Sequence, residues 1–279
     1  MAKIKASNLV FHVLVVAFGF IMVYPVLWMI SGSLKSNVEI ASGALTLIPR
    51  YWLWENFVNG WSGFAGVTFG TFFQNSFIIS ASSTVGITLS SSLVAYSFAR
   101  MRYRGRMVLF MIMLSTMMIP GQVIMIPQFL IFQQLGVVNT FVPLILPSFF
   151  GGAFFIFLIM QFMVSIPKEL DEAAICEGCN KYTVFVRIIF PLLKPALITT
   201  AIIQFYWAWD NFMGPLIYLN DERLYNLAFG LYKFNLISGA NNSLIMAGAF
   251  VMTLPIIAIF FIFQRYFIRG IAISGLGGR

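Results

Sequence analysis

From Met107 to Pro167 the chain reads MVLFMIMLSTMMIPGQVIMIPQFLIFQQLGVVNTFVPLILPSFFGGAFFIFLIMQFMVSIP, without one Asp, Glu, Lys or Arg. As a single helix this run would be about 90 Å long at 1.5 Å per residue. That is roughly three times the hydrocarbon thickness of a bilayer. It must therefore cross, turn and cross back. The turn falls at Gln133-Gln134-Leu135-Gly136 and Asn139-Thr140, which sets spans three and four at roughly 107–132 and 141–163. The same requirement of about 20 apolar residues, worked outward, predicts a first span at Leu9–Ile30 and a second at Phe72–Phe98. The fifth runs roughly 196–218 and the sixth roughly 244–264. The second span is uncharged but rich in small polar residues (Ser80, Ser82, Ser83, Thr84, Ser90, Ser91, Ser92), which favour close helix contacts or a lumen-facing side over bare lipid. Pro25, Pro120, Pro127, Pro143, Pro147 and Pro255 predict kinks inside the spans.

The composition agrees. Of 279 residues, 60% are hydrophobic and 9% charged, with mean hydropathy +0.90, whereas a soluble domain carries about 25% charged residues. So few charges cannot coat a water-facing surface, which excludes an ordinary cytosolic enzyme and a disordered chain. The net charge of +8 is not a nucleic-acid patch, because the basic residues fall in short clusters between apolar runs. Counted on alternate sides of six spans, one side holds Lys3, Lys5, Arg100, Arg102, Arg104, Arg106, Lys168, Lys181, Arg187, Lys194, Arg265, Arg269 and Arg279; the other holds Lys35, Arg50, Arg223 and Lys233. The positive-inside rule puts the first set, and both termini, in the cytoplasm. Leu9–Ile30 has no small-residue cleavage site after it and is read as a retained helix.

Catalytic constellations are missing. His12 stands alone in the first apolar helix. Cys176 and Cys179 have no second pair or nearby His to complete a four-ligand zinc site, and read as small apolar residues. No G-x-x-x-x-G-K-[ST] loop occurs, and one His cannot furnish a nucleophile–His–acid set. The chain is expected to be no enzyme and to hold no metal or cofactor of its own. Asp210 is the exception among near-chargeless spans, and an intramembrane carboxylate is a functional hypothesis by default. Asp210 and Asn211 are therefore candidates for a translocation path.

One cytoplasmic loop is acidic: Ile166-Pro167-Lys168-Glu169-Leu170-Asp171-Glu172-Ala173-Ala174-Ile175-Cys176-Glu177-Gly178-Cys179-Asn180. Pro167 suits a first helical position. Glu169, Asp171 and Glu172 complement the positive end of a helix dipole. Leu170, Ala173, Ala174 and Glu177 follow i, i+3, i+4, i+7 spacing on one narrow face, and Gly178 allows a left-handed end. The acidic character disfavours docking on an anionic leaflet, so a protein partner fits this helix better.

The loop resembles the type I ABC importer permeases, whose cytoplasmic pattern is E-A-A-x3-G-x9-I-x-L-P. Here it reads Glu172-Ala173-Ala174, Gly178, Ile188 and Ile189-Phe190-Pro191, with Phe190 for the leucine. Ile166-Pro167-x-Glu169-Leu170 before it and Pro191-Leu192-x-x-Pro195-Ala196-Leu197 after it are similar to the carbohydrate, maltose-type branch. Trp209-Asp210-Asn211-Phe212 with Pro215-Leu216 looks like that branch's Trp-Asn-x-Phe-x-x-Pro-Leu, with Asp210 replacing the usual Asn. Gln264-Arg265-Tyr266-Phe267 and Gly270 resemble its tail. The likeness is greatest to the six-helix second permease subunit.

The resemblance implies an all-α, MetI-like fold of six transmembrane helices with both termini cytoplasmic. Residues 1–71 would be the first helix and an extracytoplasmic loop, 72–265 the transmembrane core, and 266–279 a cytoplasmic tail. The helix at about 168–180 would be a coupling helix. Glu172, Ala173, Ala174, Gly178, Ile188 and Pro191 would couple to an ATPase, and small Ala173 and Ala174 would fit its groove. The implied partners are a second permease subunit, two ATPase subunits that carry ATP and Mg, an extracytoplasmic sugar-binding protein and membrane lipid, with no nucleic acid. The implied function is ATP-driven import of a sugar or oligosaccharide across a bacterial or archaeal cell membrane. By position between spans five and six, Ser238, Gly239, Asn241 and Asn242 are candidates for contact with the binding protein. A permease for an amino acid, polyamine or phosphate is the alternative within the class, and a self-sufficient secondary carrier the alternative outside it.

Overall fold

A computed structural model describes residues 6–43, 46–239 and 241–276, with side chains from 10 to 262. The charges at Lys3, Lys5, Arg265, Arg269 and Arg279, and the side chains of the tail motif, lie outside the described residues. In chain order the helices are α1 (Ala6–Ser33), α2 (Asn37–Ala41), α3 (Glu55–Trp61), α4 (Phe69–Arg100), α5 (Arg106–Thr116), α6 (Gly121–Gln134), α7 (Val142–Ile145), α8 (Ala153–Val164), α9 (Glu169–Cys176), α10 (Lys181–Val184), α11 (Phe190–Leu192), α12 (Lys194–Trp209), α13 (Met213–Tyr218), α14 (Leu227–Ile237) and α15 (Asn242–Leu276). Among the described residues there is no strand, only an isolated bridge between Phe64 and Val67.

Four helical stretches are long and apolar enough to cross a membrane: Val10–Ser33, Phe69–Arg100, Val142–Val164 and Asn242–Ile262. Two bent pairs raise the number to six when each is taken as one span. The expected third span is one of these pairs. It bends by 98° between Thr116 and Gly121, where Pro120 lacks the N–H that would continue a helix and pushes Ile119 out of the helical region. The expected fifth span is also not one helix. α12 stops at Trp209 and α13 restarts at Met213, and at about 24 Å α12 alone falls short of a crossing. At its other end, Lys181–Leu192 meets it at 74°. The fourth span is broken inside by a 3-10 turn over Leu146–Phe150 and by Gly151 at φ +84°.

The chain forms two compact units, residues 1–70 with 230–254, and residues 71–229 with 255–279. In the first, the Asn56 side-chain amide donates to the carbonyls of Ser33 at 2.9 Å and Lys35 at 2.8 Å. The buried Lys35 ammonium donates to the Thr46 carbonyl. In the second, Ser76, Ser83, Ser90 and Ser91 of α4 bond backbone outside their own helix, as expected of small polar residues between helices. Ser80, Ser83, Ser91 and Ser92 are buried. Ser90 Oγ donates to the Ser148 carbonyl at 3.0 Å, and Ser91 Oγ accepts from the Gly152 N–H at 3.2 Å. Gly86 permits this approach, since a Cβ there would lie 2.7 Å from the Phe149 ring. The hydrophobic core of this unit joins the end of α4 (Ala95, Tyr96) to α8 (Ile159, Met163) and to Val184, Ile189 and Leu193.

Candidate functional site

The acidic loop folds as α9. Lys168 precedes its first turn, so Pro167 lies outside the helix rather than at its first position. Its C-terminus is a Schellman motif. The Gly178 N–H donates to the Ile175 carbonyl at 3.0 Å and the Cys179 N–H to the Ala174 carbonyl at 3.0 Å. Gly178 sits at φ +88°, a conformation that costs a residue with a Cβ about 1–2 kcal/mol. Asn180 then starts α10, its Oδ1 accepting from the Thr183 N–H at 2.8 Å.

The last turns of α4 grip this hairpin. The Arg100 Nε lies 3.0 Å from Asp171 Oδ2, with the two side chains 4% and 13% exposed. The Arg100 Nη2 donates to the Ile166 carbonyl at 2.7 Å. One turn earlier on α4, the Tyr96 hydroxyl donates to the Lys181 carbonyl at 3.2 Å. The segment is thus held before, within and after α9. Burial pushes the Asp171 carboxyl above its ordinary range; Arg100 pulls it down, Glu172 adds to the rise and Lys168 opposes it. The guanidinium cannot shed its proton, so a permanent cation sits at the root of α9. Sequence reasoning treated Arg100 only as a topological charge and Asp171 only as a dipole complement. The available signals were the i, i+4 pair Tyr96 and Arg100 and the i, i+3 pair Asp171 and Ala174.

Those spacings also correct the expected face of α9. Leu170, Glu172, Ala173, Ile175, Cys176, Glu177 and Gly178 are exposed. Ala174 is 5% exposed and packs in the chain's own core with Val184 and Phe185. It is therefore not available as a size limit toward a partner. Ile188 is half-buried against the same core. Pro191 is exposed beside a cleft of about 400 Å³ that Thr88, Lys194 and Ala201 also line. A π turn runs through Phe185–Ile189, just before Pro191, whose missing N–H removes one α-helical bond.

Asp210 is exposed where α12 ends, its N–H donating to the Tyr206 carbonyl at 3.0 Å. The Asn211 Oδ1 accepts from the Gly214 N–H at 3.0 Å, and the Asn211 carbonyl accepts from Asn226 Nδ2 at 2.7 Å. The Asn211 amide oxygen is thus engaged in starting α13. Trp209, fully buried, stacks on Phe205 at 5.5 Å and meets Phe73 edge-on at 5.2 Å. Sequence reasoning missed Asn75 and Asn226. Asn75 Nδ2 donates to the carbonyls of Arg223 at 2.8 Å and Tyr225 at 3.0 Å, and Asn226 Oδ1 accepts from the Phe229 N–H at 3.0 Å.

Ser238, Gly239, Asn241 and Asn242 come together at the turn between α14 and α15, with Gly239 at φ +64°. Asn241 Oδ1 accepts from Ser243 Oγ at 2.8 Å, and the Asn242 N–H donates to Asn37 Oδ1 at 3.0 Å. Among the described residues, no group of three or more His, Cys, Asp or Glu is placed to hold a metal ion.

This arrangement has counterparts among known proteins. Residues 86–273 match the family of binding-protein-dependent transport system inner membrane components. The chain is 35% identical over 256 residues to the probable ABC transporter permease protein YurM of Bacillus subtilis, covering 91% of this chain and 84% of that one. It is 34% identical over 281 residues to the arabinooligosaccharides transport system permease protein AraQ of Halalkalibacterium halodurans, covering 99% and 100%. Its fold is similar to a chain in the crystal structure of a bacterial ABC transporter involved in the import of the acidic polysaccharide alginate, with TM-score 0.82, 24% identity, and coverage of 96% of this chain and 100% of that one. With its all-helical spans and its permease loop, the chain belongs to the family of binding-protein-dependent transport system inner membrane components.

Proposed function

We propose that this transporter subunit, which is not an enzyme, is one of two permeases in an ATP-driven importer of sugars or oligosaccharides in a bacterial or archaeal cell membrane. Two ATPase subunits hydrolyse ATP with Mg, and an extracytoplasmic binding protein delivers the solute. The observation that carries the proposal is the hairpin at α9. An acidic helix presents Glu172, Ala173 and Gly178 outward while its root is tied to a long apolar helix through Arg100 and Tyr96. A push on the outer face of α9 by an ATPase is thereby transmitted to α4. Glu172 pairs with a basic residue in the ATPase groove as a charge-assisted contact. The loop at 100–106 and both termini face the cytoplasm. The turn at Ser238–Asn242 faces the binding protein. The sugar assignment is supported by the Trp209–Leu216 stretch and by what AraQ is named to transport.

Reconstitution tests this. Liposomes holding both permeases and both ATPases should take up sugar only with ATP and binding protein. The isolated chain should take up none under ATP, a proton gradient or a sodium gradient; gradient-driven uptake by it alone would overturn the class. A thermal-shift screen of the binding protein against oligosaccharides, an amino acid, spermidine and phosphate tests the substrate class. Stabilisation by anything but a sugar overturns that part alone.

A further inference from the structure

The end of α4, the start of α5 and the end of α8 leave a cleft of about 280 Å³ whose lining includes Phe98, Arg100, Arg106, Phe110, Met160 and Lys168. Three cations line it and no carboxylate does, since Asp171 lies outside the lining. Arg100 is nearly fully buried, and its Nη1 has no hydrogen-bond partner. Buried donors are rarely left unmatched, and Arg100 is one of the residues that line the cleft. Arg106 and Lys168 are exposed and, among the described residues, in no salt bridge. The Arg106 guanidinium reaches the Met101 carbonyl at 3.3 Å through Nη1, which leaves its other donors for a ligand.

The rest of the lining is apolar. Phe98 and Phe110 meet edge to face at 5.6 Å, and Met107 and Val164 at the rim are 65% and 61% exposed. A cationic end beside an apolar wall matches a lipid that carries a phosphate on acyl chains. It does not match a free anion, which needs no such wall. The cleft lies at the ends of apolar helices, beside the 100–106 cluster that marks the cytoplasmic side. That leaflet holds anionic lipid, and basic pockets between helices there recognise anionic headgroups. Guanidinium forks suit phosphate oxygens.

We propose that this cleft binds an anionic phospholipid of the cytoplasmic leaflet. Its phosphate is held by Arg106, Lys168 and the spare donors of Arg100, and an acyl chain lies against Phe98, Phe110 and Met160. The site is independent of which solute is imported. It places a lipid phosphate against the residue that grips α9.

Native mass spectrometry of the assembled transporter, with phosphatidylglycerol or phosphatidylethanolamine titrated in, tests the assignment. Phosphatidylglycerol should remain bound at about tenfold lower concentration than phosphatidylethanolamine. Arg106→Gln with Lys168→Gln should erase that preference. Arg102→Gln with Arg104→Gln, which removes the same charge outside the cleft lining, should keep it. Both pairs are on exposed residues, so assembly is the fold control. Equal retention of the two lipids overturns the proposal, as does equal loss in both double variants, which indicates diffuse charge attraction. Displacement of phosphatidylglycerol by millimolar inorganic phosphate also overturns it, because the site would then hold a free anion.

Discussion

Replacing Asp171 by Leu removes the carboxylate that pairs with the Arg100 guanidinium, whose side chain is 4% exposed. Removing one partner of a buried ion pair costs about 3–5 kcal/mol, and Arg100 cannot relieve this by losing its proton. At about 1.4 kcal/mol per tenfold, the docked state of α9 should open about a hundred- to a few thousand-fold more often. Asp171→Asn is milder. It keeps an acceptor and relieves the burial of a carboxylate, the same cost that raises the Asp171 pKa, so about 1 kcal/mol and fivefold are expected. Arg100→Met with Asp171→Leu removes both charges and should return opening to within about tenfold of the parent, because apolar replacement of a whole buried pair is often neutral. Cys179 is a native reporter. It is half-buried against the core that includes Ala174, and its N–H closes the Schellman motif, whereas Cys176 is exposed. In a Cys176→Ser background, maleimide labelling of Cys179 should rise with the opening frequency. Equal labelling rates in the parent and Asp171→Leu would refute the argument that Arg100 holds α9.

Gly178→Ala should weaken α9 by about 1–2 kcal/mol through φ alone, because its Cβ meets nothing within 4 Å; the Cys179 assay reads this directly. Gly178→Asp and Glu172→Lys should leave the protein abundant while abolishing binding-protein-stimulated ATP hydrolysis in the assembled transporter. Asn226→Ala removes the bonds of a side chain 1% exposed to the Phe229 N–H and the Asn211 carbonyl, so the purified protein should lose about 1–3 kcal/mol, seen as a lower Tm. Acidification should not loosen α9. Burial holds the Asp171 carboxyl above its unfolded value, so the folded state takes up the proton first and gains stability as pH falls toward the carboxylate range; hydrogen exchange over 169–176, corrected for intrinsic rates, checks this, and loss of protection would contradict it. Cysteines at Ser36 and Asn241 should react with an impermeant maleimide in intact cells or spheroplasts, and Arg104→Cys should not.

The extent of the membrane segments was legible because hydrocarbon thickness imposes a length, and α1, α4 and α15 contain the predicted spans. Their interruptions were less so. A proline at position 120 announces a break, but whether the chain kinks or turns through 98° depends on what packs against it. The hairpin of α9 and α10 was legible in outline, since Gly178 and the acidic first turn act locally. Which face of α9 turns inward was not. Leu170, Ala173, Ala174 and Glu177 form a plausible face by spacing, yet Arg100, far away in sequence, selects Asp171 and with it Ala174. Asn211 shows the same limit. Spacing gives no sign that the break after Trp209 exposes the Gly214 N–H, which donates to the Asn211 oxygen.

Cysteine crosslinking in the assembled transporter asks whether α9 touches an ATPase. Cys176 lies exposed at the C-terminal end of α9 and needs no substitution on this chain. With single cysteines placed along the ATPase groove, a short thiol crosslinker should join Cys176 to at least one groove position. The yield should change between nucleotide-free and ATP-bound states, and Gly178→Asp should abolish it. If no groove position crosslinks in either state while the complex remains assembled and transports sugar, α9 is not the element through which ATP hydrolysis moves the spans.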